Sequence, residues 1–276
     1  MRIWLRRLGF GLSTVLGLAP RGFFIPYRHA ASVRPAGYPA LRRLFEAAEP
    51  GFREVIRDIE NHAGDLARIA AGSGPARFDQ DWFPRLDAAT TYAIVRTRKP
   101  RRIVEIGSGH STRFLARAIA DGGLPTEIVC IDPAPRADLK QLRVSHVPKL
   151  LAEVDPAILS GLEAGDVLFV DSSHIAMAGT DVDRLFLDVL PRLPPGVLLH
   201  VHDIFLPEGY PAEWAWRGYN EQLLVGALLQ GGGYELLFAS HYVATHRPHW
   251  LAGLADLPRP RHACETSLWL TKRRPG

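Results

Sequence analysis

From residue 76 onward, short and nearly unbroken apolar runs alternate with longer stretches in which apolar residues return every third or fourth position. The runs read as strands: Ile103 to Ile106, Ile128 to Ile131, a weaker one near Leu142 to Val147, Val167 to Val170, Val197 to Val201, Tyr234 to Ala239 and Ser267 to Thr271. Between them the spacing predicts helices from Asp87 to Arg98, from Ser111 (as N-cap) to Asp121, and from about Tyr219 to Leu229. Another carries Val182, Leu185, Phe186 and Leu190 and ends around Pro191. Gly122-Gly123 and Gly231 to Gly233 supply further stops. This alternation predicts an α/β fold, a Rossmann-like and mostly parallel sheet with helices on both faces.

Upstream the pattern is helical from Tyr38 to Ala71. Phe52, Val55, Ile56, Ile59, Ala63, Leu66 and Ile69 form one apolar face, and Pro50-Gly51 separates them from a preceding helix with Leu41, Leu44 and Phe45. Gly72-Ser-Gly-Pro75 reads as a linker. The expected organisation is therefore a helical extension or cap over residues 1–75 and a ligand-binding domain over 76–276. At the start, Arg2, Arg6 and Arg7 precede an apolar run from Leu8 to Ala19 that looks like a weak secretory signal. It is too short to span a bilayer and is interrupted by Gly9, Gly11 and Gly17, so a packed or membrane-surface N-terminal helix is expected, with residues 1–28 the candidate for peripheral membrane contact. The aromatic segment Gly22 to Arg28 is expected to pack against the ligand-binding domain.

Composition narrows the partners. A chain of 276 residues with 47% hydrophobic and 22% charged residues is ordinary globular material. The net charge of +4 is spread without a basic stripe interleaved with aromatics, which argues against nucleic acid. Two cysteines, Cys130 and Cys264, cannot make a disulfide framework and read as reduced core residues.

The chemistry begins at Arg102-Ile-Val-Glu-Ile-Gly-Ser-Gly-His-Ser-Thr112. A strand ends near an acid, breaks into a Gly-x-Gly turn and opens a helix, which lets backbone lie against a small charged ligand. The second strand ends at Asp132, whose carboxylate can hold a ribose. Dinucleotide and S-adenosylmethionine (SAM) enzymes both use this layout. The dinucleotide fingerprint wants a third small residue where Thr112 stands, and Glu105 sits poorly beside a pyrophosphate. SAM carries no phosphate, so a nicotinamide oxidoreductase is the weaker alternative. Cofactor contacts are expected from Glu105, Gly107, Gly109, Ser111, Asp132 and Asp171.

Ligands of open parallel sheets bind at the carboxyl ends of the strands. Asp171-Ser-Ser-His174 and His200-Val-His-Asp203 occupy two such ends. Asp171 and Asp203 would repel each other unless compensated, and Mg²⁺ held by both is the simplest compensation. His174 would take the acceptor's proton, with His202 the second choice. The plainer readings are that Asp171, Ser172 or Ser173 caps a helix, that His200 is a hydrogen-bonded core residue, and that Glu221 and Gln222 form a solvated first helical turn.

Val104 to Thr112, Phe169-Val-Asp-Ser-Ser-His174, His200-Val-His-Asp-Ile-Phe205 and Asn220-Glu-Gln222 together resemble class I SAM-dependent methyltransferases, in particular the bacterial methyltransferase family 24. The resemblance runs from about Trp82 through the helix near Leu229 and more loosely to Thr271, and extends to metal-dependent sugar O-methyltransferases. It implies a seven-stranded sheet whose last strand is antiparallel, SAM on the turn at Glu105, Gly107 and Gly109, and Asp132 on its ribose. It also implies Asp171 and Asp203 as metal ligands and His174 as base. A small molecule or glycan is the acceptor expected, and a cofactor made in the cytosol implies a cytoplasmic setting. Acceptor choice is expected from Leu206 to Trp216, His241 to Arg261 and the N-terminal segment. The non-enzymatic rival is a membrane-associated scaffold on the same fold.

Overall fold

A computed structural model describes residues 2–274. The chain divides into two compact units. One holds residues 2–36 with Tyr210–Gly218, and contains helix α1 (Arg2–Val15). The other holds Gly37–Gly209 with the chain from Tyr219 onward. Among the described residues no helix is long and apolar enough to cross a membrane.

The second unit is built on seven strands: β1 (Arg102–Ile106), β2 (Glu127–Ile131), β3 (Ser145–Val147), β4 (Val167–Val170), β5 (Leu198–Val201), β6 (Tyr234–Ala239) and β7 (Leu268–Lys272). Their order is β3-β2-β1-β4-β5-β7-β6. The first five are parallel, and β7 runs antiparallel to both β5 and β6. Strands β4 and β5 are buried at every position, as strands covered on both faces must be. The chain leaves β1 toward β2 and β3, then returns to lay β4 on the other side of β1. The crevice above the β1–β4 pair is therefore the switch point where such sheets take ligands.

Helix α4 (Arg85–Arg98) is buried continuously from Leu86 to Val95, Asp87 included. Helix α5 (His110–Gly122) follows β1 and ends at Gly123, whose φ of 57° is the left-handed stop expected there. A short α6 (Ala157–Ser160) precedes β4. Helix α7 (Asp181–Arg184) passes through a π-wound turn, Leu185–Val189, into α8 (Leu190–Arg192). Then come α9 (Glu221–Gln230) and α10 (Ser240–His246), the latter in a stretch where no helix was expected.

Three expectations change. Pro50-Gly51 does not break the early helix: α2 spans Pro39–Asn61 with Pro50 inside, and the break to α3 (Ala63–Ala70) falls at His62. Leu41, Phe45, Phe52, Val55, Ile56 and Ile59 lie on one uninterrupted buried stripe, and that burial outweighs the hydrogen bond a proline removes. The stripe packs into the second unit, with Phe45 and Phe52 against Tyr242 at 5.4 and 5.9 Å between ring centres, and Phe52 against Phe238 at 5.7 Å. The linker-like Gly72 to Pro75 thus lies within that unit, which begins at Gly37. Ser111 is not the cap of α5: the helix starts at His110 with Gly109 in the cap position, where Thr112 Oγ1 accepts the Gly109 N–H at 2.9 Å.

Phe52→Ala is expected to cost about 3–5 kcal/mol in urea unfolding while keeping one cooperative transition for the whole unit. A separate early transition for the α2 region would contradict this packing.

Candidate functional site

Gly107 follows β1 with φ 79°, and a Cβ there would stand 1.8 Å from the Asp171 carbonyl oxygen at the tip of β4. Only glycine fits, because the two strand tips touch: Asp171 N–H donates to Ile106 O at 2.9 Å. Gly109 differs. A Cβ there would meet nothing closer than Arg136 Cβ at 3.6 Å. No protein atom crowds that position, so the space beside it is available to a ligand.

Glu105 does not point at that space. It is fully buried, and its carboxylate accepts from Ser111 Oγ at 2.6 Å, Thr112 Oγ1 at 2.7 Å and Cys130 Sγ at 3.3 Å. Ser111 is likewise buried with its hydroxyl given to Glu105. These two expected cofactor contacts instead brace the turn from beneath. Burial pushes the Glu105 carboxyl up to about 7 despite its three donors. Asp132, half-buried at the β2 tip, accepts the Ser108 N–H at 2.7 Å and the Ala134 N–H at 2.7 Å, which fixes its carboxylate beside the turn.

Across the crevice four expected residues meet. His174 Nε2 lies 3.4 Å from Asp171 Oδ1 and 3.4 Å from Asp203 Oδ2. His202 Nδ1 lies 3.6 Å from Asp171 Oδ1 and 3.4 Å from Asp203 Oδ1. Each ring is held from behind by another buried carboxylate. Glu221 Oε2 takes His174 Nδ1 at 2.9 Å, and Asp87 Oδ2 takes His202 Nε2 at 3.3 Å. His174 and Asp203 both adopt left-handed backbone, φ 60° and 58°, which non-glycine residues rarely keep without compensation. For His174 the carbonyl accepts from the N–H groups of Asn220 and Glu221 at the start of α9; for Asp203 the side chain accepts Thr266 Oγ1 at 3.3 Å.

Burial opposes charge on both imidazoles, but the facing carboxylates outweigh it. Asp203, Asp171 and Glu221 hold His174 well above its ordinary range, and Asp171, Asp203 and Asp87 do the same for His202. Burial alone would raise Asp171; the two rings reverse that and hold it well below the usual carboxylate range.

The plainer readings divide. Thr180 caps α7 by accepting the Asp183 N–H, so neither Asp171 nor its serines serve that purpose. His200 is a core residue, stacked on Phe169 at 3.6 Å and bonded to Ser267 Oγ at 2.9 Å. Glu221 and Gln222 are buried, not a solvated turn; Gln222 Oε1 accepts the Phe205 N–H at 2.9 Å. Asp87 was not anticipated. It also accepts the N–H groups of Thr266 and Ser267, and the available signal was an acid inside the apolar pattern of α4.

The expected Mg²⁺ site at Asp171 and Asp203 is not assembled. Mg²⁺ needs near-octahedral oxygen ligands at about 2.0–2.1 Å. The two carboxylates face imidazole nitrogens, and the other nearby acids, Glu221 and Asp87, lie behind those rings. Among the described residues no group of three or more His, Cys, Asp or Glu is arranged to hold a metal.

Residues 104–204 match the family model of a methyltransferase domain, a span that includes the glycine turn, Asp132, Asp171, His174 and Asp203. The family resemblance read from the motifs is borne out over that span. No curated protein matches the chain. Among solved structures, SAH-bound methyltransferase PaMTH1 of Podospora anserina is 18% identical, with 92% of this chain and 100% of that one covered and a TM-score of 0.43. MycE methyltransferase of the mycinamycin biosynthetic pathway, in complex with Mg and SAH, is 17% identical over 76% of this chain and 55% of its own, TM-score 0.40. The branched-chain polyamine synthase of Thermus thermophilus is 14% identical, covering 79% and 66%, TM-score 0.39. Likenesses this distant decide nothing about chemistry.

Because the folded state holds the Glu105 proton to about 7 and a free carboxyl only to 4.5, its stabilising contribution is complete below about pH 4.5 and lost as pH rises to about 7. The 2.5-unit difference is worth about 3 kcal/mol. Glu105→Gln is expected to flatten the fall in stability between these pH values, measured by urea unfolding across pH.

Proposed function

We propose that this SAM-dependent methyltransferase acts on an oxygen nucleophile, a hydroxyl of a sugar or other small metabolite. The observation that carries the reading is His174, buried between Asp171 and Asp203 beside the glycine turn and tied from behind to Glu221. SAM supplies a methyl already electrophilic on its sulfonium. The open side of Gly109 and the carboxylate of Asp132 are the groups suited to hold it. The donor set gives no support to Mg²⁺, and the roles below need none.

The protein's task is to align acceptor and methyl, exclude water and remove a proton. Asp171 is the most exposed carboxylate of the cluster, its side chain 23% accessible against 11% for Asp203, and is suited to receive the acceptor hydroxyl. Glu221 Oε2 engages Nδ1 of His174 at 2.9 Å, so Nε2 is the nitrogen that faces the crevice. Its contacts of 3.4 Å are longer than an ordinary N–H···O bond, which leaves it free to engage the hydroxyl. Three surrounding carboxylates favour the protonated ring, so His174 serves as base only in its neutral form, reached at pH above the ordinary imidazole range. His202, held by Asp87, balances charge from the other side and is the second candidate for the proton. A cofactor made in the cytosol supports a cytoplasmic site of action.

Titration calorimetry with S-adenosylhomocysteine tests the first half. Wild type is expected to bind, and Gly109→Ala to stay folded yet lose at least about tenfold in affinity through the Cβ that intrudes on the ligand. Absence of binding at millimolar ligand would sink the reading.

For the second half, His174→Ala should lower kcat on the order of 100- to 10,000-fold. Glu221→Gln should lower it less and move the rise of the pH–rate profile toward lower pH, since one carboxylate holding the His174 proton is gone. Both should leave S-adenosylhomocysteine affinity nearly unchanged. An unmoved profile in Glu221→Gln would remove His174 as base.

A further inference from the structure

The unit formed by residues 2–36 and Tyr210–Gly218 carries a large exposed apolar surface. Helix α1 places Trp4, Leu5, Leu8, Leu12 and Val15 within one arc, with Arg6, Arg7, Ser13 and Thr14 around the rest. That apolar arc is exposed: Trp4 at 63%, Leu12 at 50% and Val15 at 62%. After the helix the chain turns back, with Leu18 and Ala19 N–H groups on the Ser13 carbonyl and the Arg21 N–H on Thr14 Oγ1. Leu18, Phe23, Phe24, Ile25 and Tyr27 follow, all more than half exposed. Thirteen of the nineteen large apolar side chains exposed among the described residues lie between Trp4 and Val33. Patches of this density mark an interaction surface.

Charge says what it meets. Residues 1–36 contain six arginines and no acid. Six exceeds the whole chain's net charge of +4, so everything after residue 36 is on balance acidic. The arginines are not spent on ion pairs within the segment; Arg6 and Arg21 lie against the Phe10 ring at 5.2 and 5.6 Å. An apolar arc flanked by cations, on a helix of 14 residues, is about 21 Å long, short of the roughly 30 Å hydrocarbon core. It suits a helix lying in the headgroup plane.

We propose that residues 2–28 dock this protein on an anionic lipid bilayer, with Trp4, Leu8 and Leu12 in the acyl boundary and the arginines among the headgroups. Docking is independent of the methyl-transfer reading.

The test is co-sedimentation of the full chain with vesicles of phosphatidylcholine alone or mixed equally with phosphatidylglycerol. Binding to the mixed vesicles is expected, at least about tenfold weaker to phosphatidylcholine, and weakened by salt. Leu8→Glu with Leu12→Glu should abolish it and leave S-adenosylhomocysteine binding intact. Arg6→Gln with Arg7→Gln, which spares the apolar arc, should weaken it about tenfold or more at low salt. Equal binding to both vesicles, or sedimentation that survives the glutamate pair, overturns the proposal. So does self-association without vesicle binding, which would make a second copy the occupant.

Discussion

The close approach of two strand tips governs this site. The backbone after β1 passes so near the backbone after β4 that a methyl group at residue 107 would overlap the Asp171 carbonyl. That contact joins the glycine turn to the carboxylate that opens the second half of the candidate site. Either half alone would be a loop. Held together at the point where the strand order reverses, they make a crevice with one wall of backbone and one wall of charged side chains. The buried Glu105 serves the same end from below, converting the first turn of α5 into a rigid floor.

Electrostatics on the charged wall follow a simple alternation. Glu221, His174, the Asp171 and Asp203 pair, His202 and Asp87 run as carboxylate, imidazole, carboxylates, imidazole, carboxylate. Each ring lies between acids, so the repulsion that first suggested a divalent cation is met by side chains of the chain itself. Such a network depends on complete pairing, since a buried charge stripped of its partner is costly. Two residues in left-handed backbone, His174 and Asp203, show how far the fold goes to keep it.

Much of this was legible from residue order. Strands buried on both faces have no polar alternation to confuse them, and β1, β2, β4 and β6 lie where their apolar runs put them. Glycine 107 and the acids at the strand tips announced the crevice because few other reasons exist for those residues there. Continuity of α2 was hidden, because a proline is a local signal while the stripe that overrides it is read only against β6 and α10. Asp87 and the pairing of Glu221 with His174 were hidden for another reason. Their partners lie 115 and 47 residues away in the chain, and only the folded sheet brings them together.

Strand β7 slots between β5 and β6, two neighbours that are both synthesised before it. Until it arrives, each of them shows an unsatisfied edge, and the backbone donors of Thr266 and Ser267 that steady Asp87 do not yet exist. A nascent chain can therefore finish its glycine turn early but not its histidine pair. Ribosome-bound intermediates of this protein should expose a sticky half-sheet, and the competence to do chemistry should be among the last properties the polypeptide acquires.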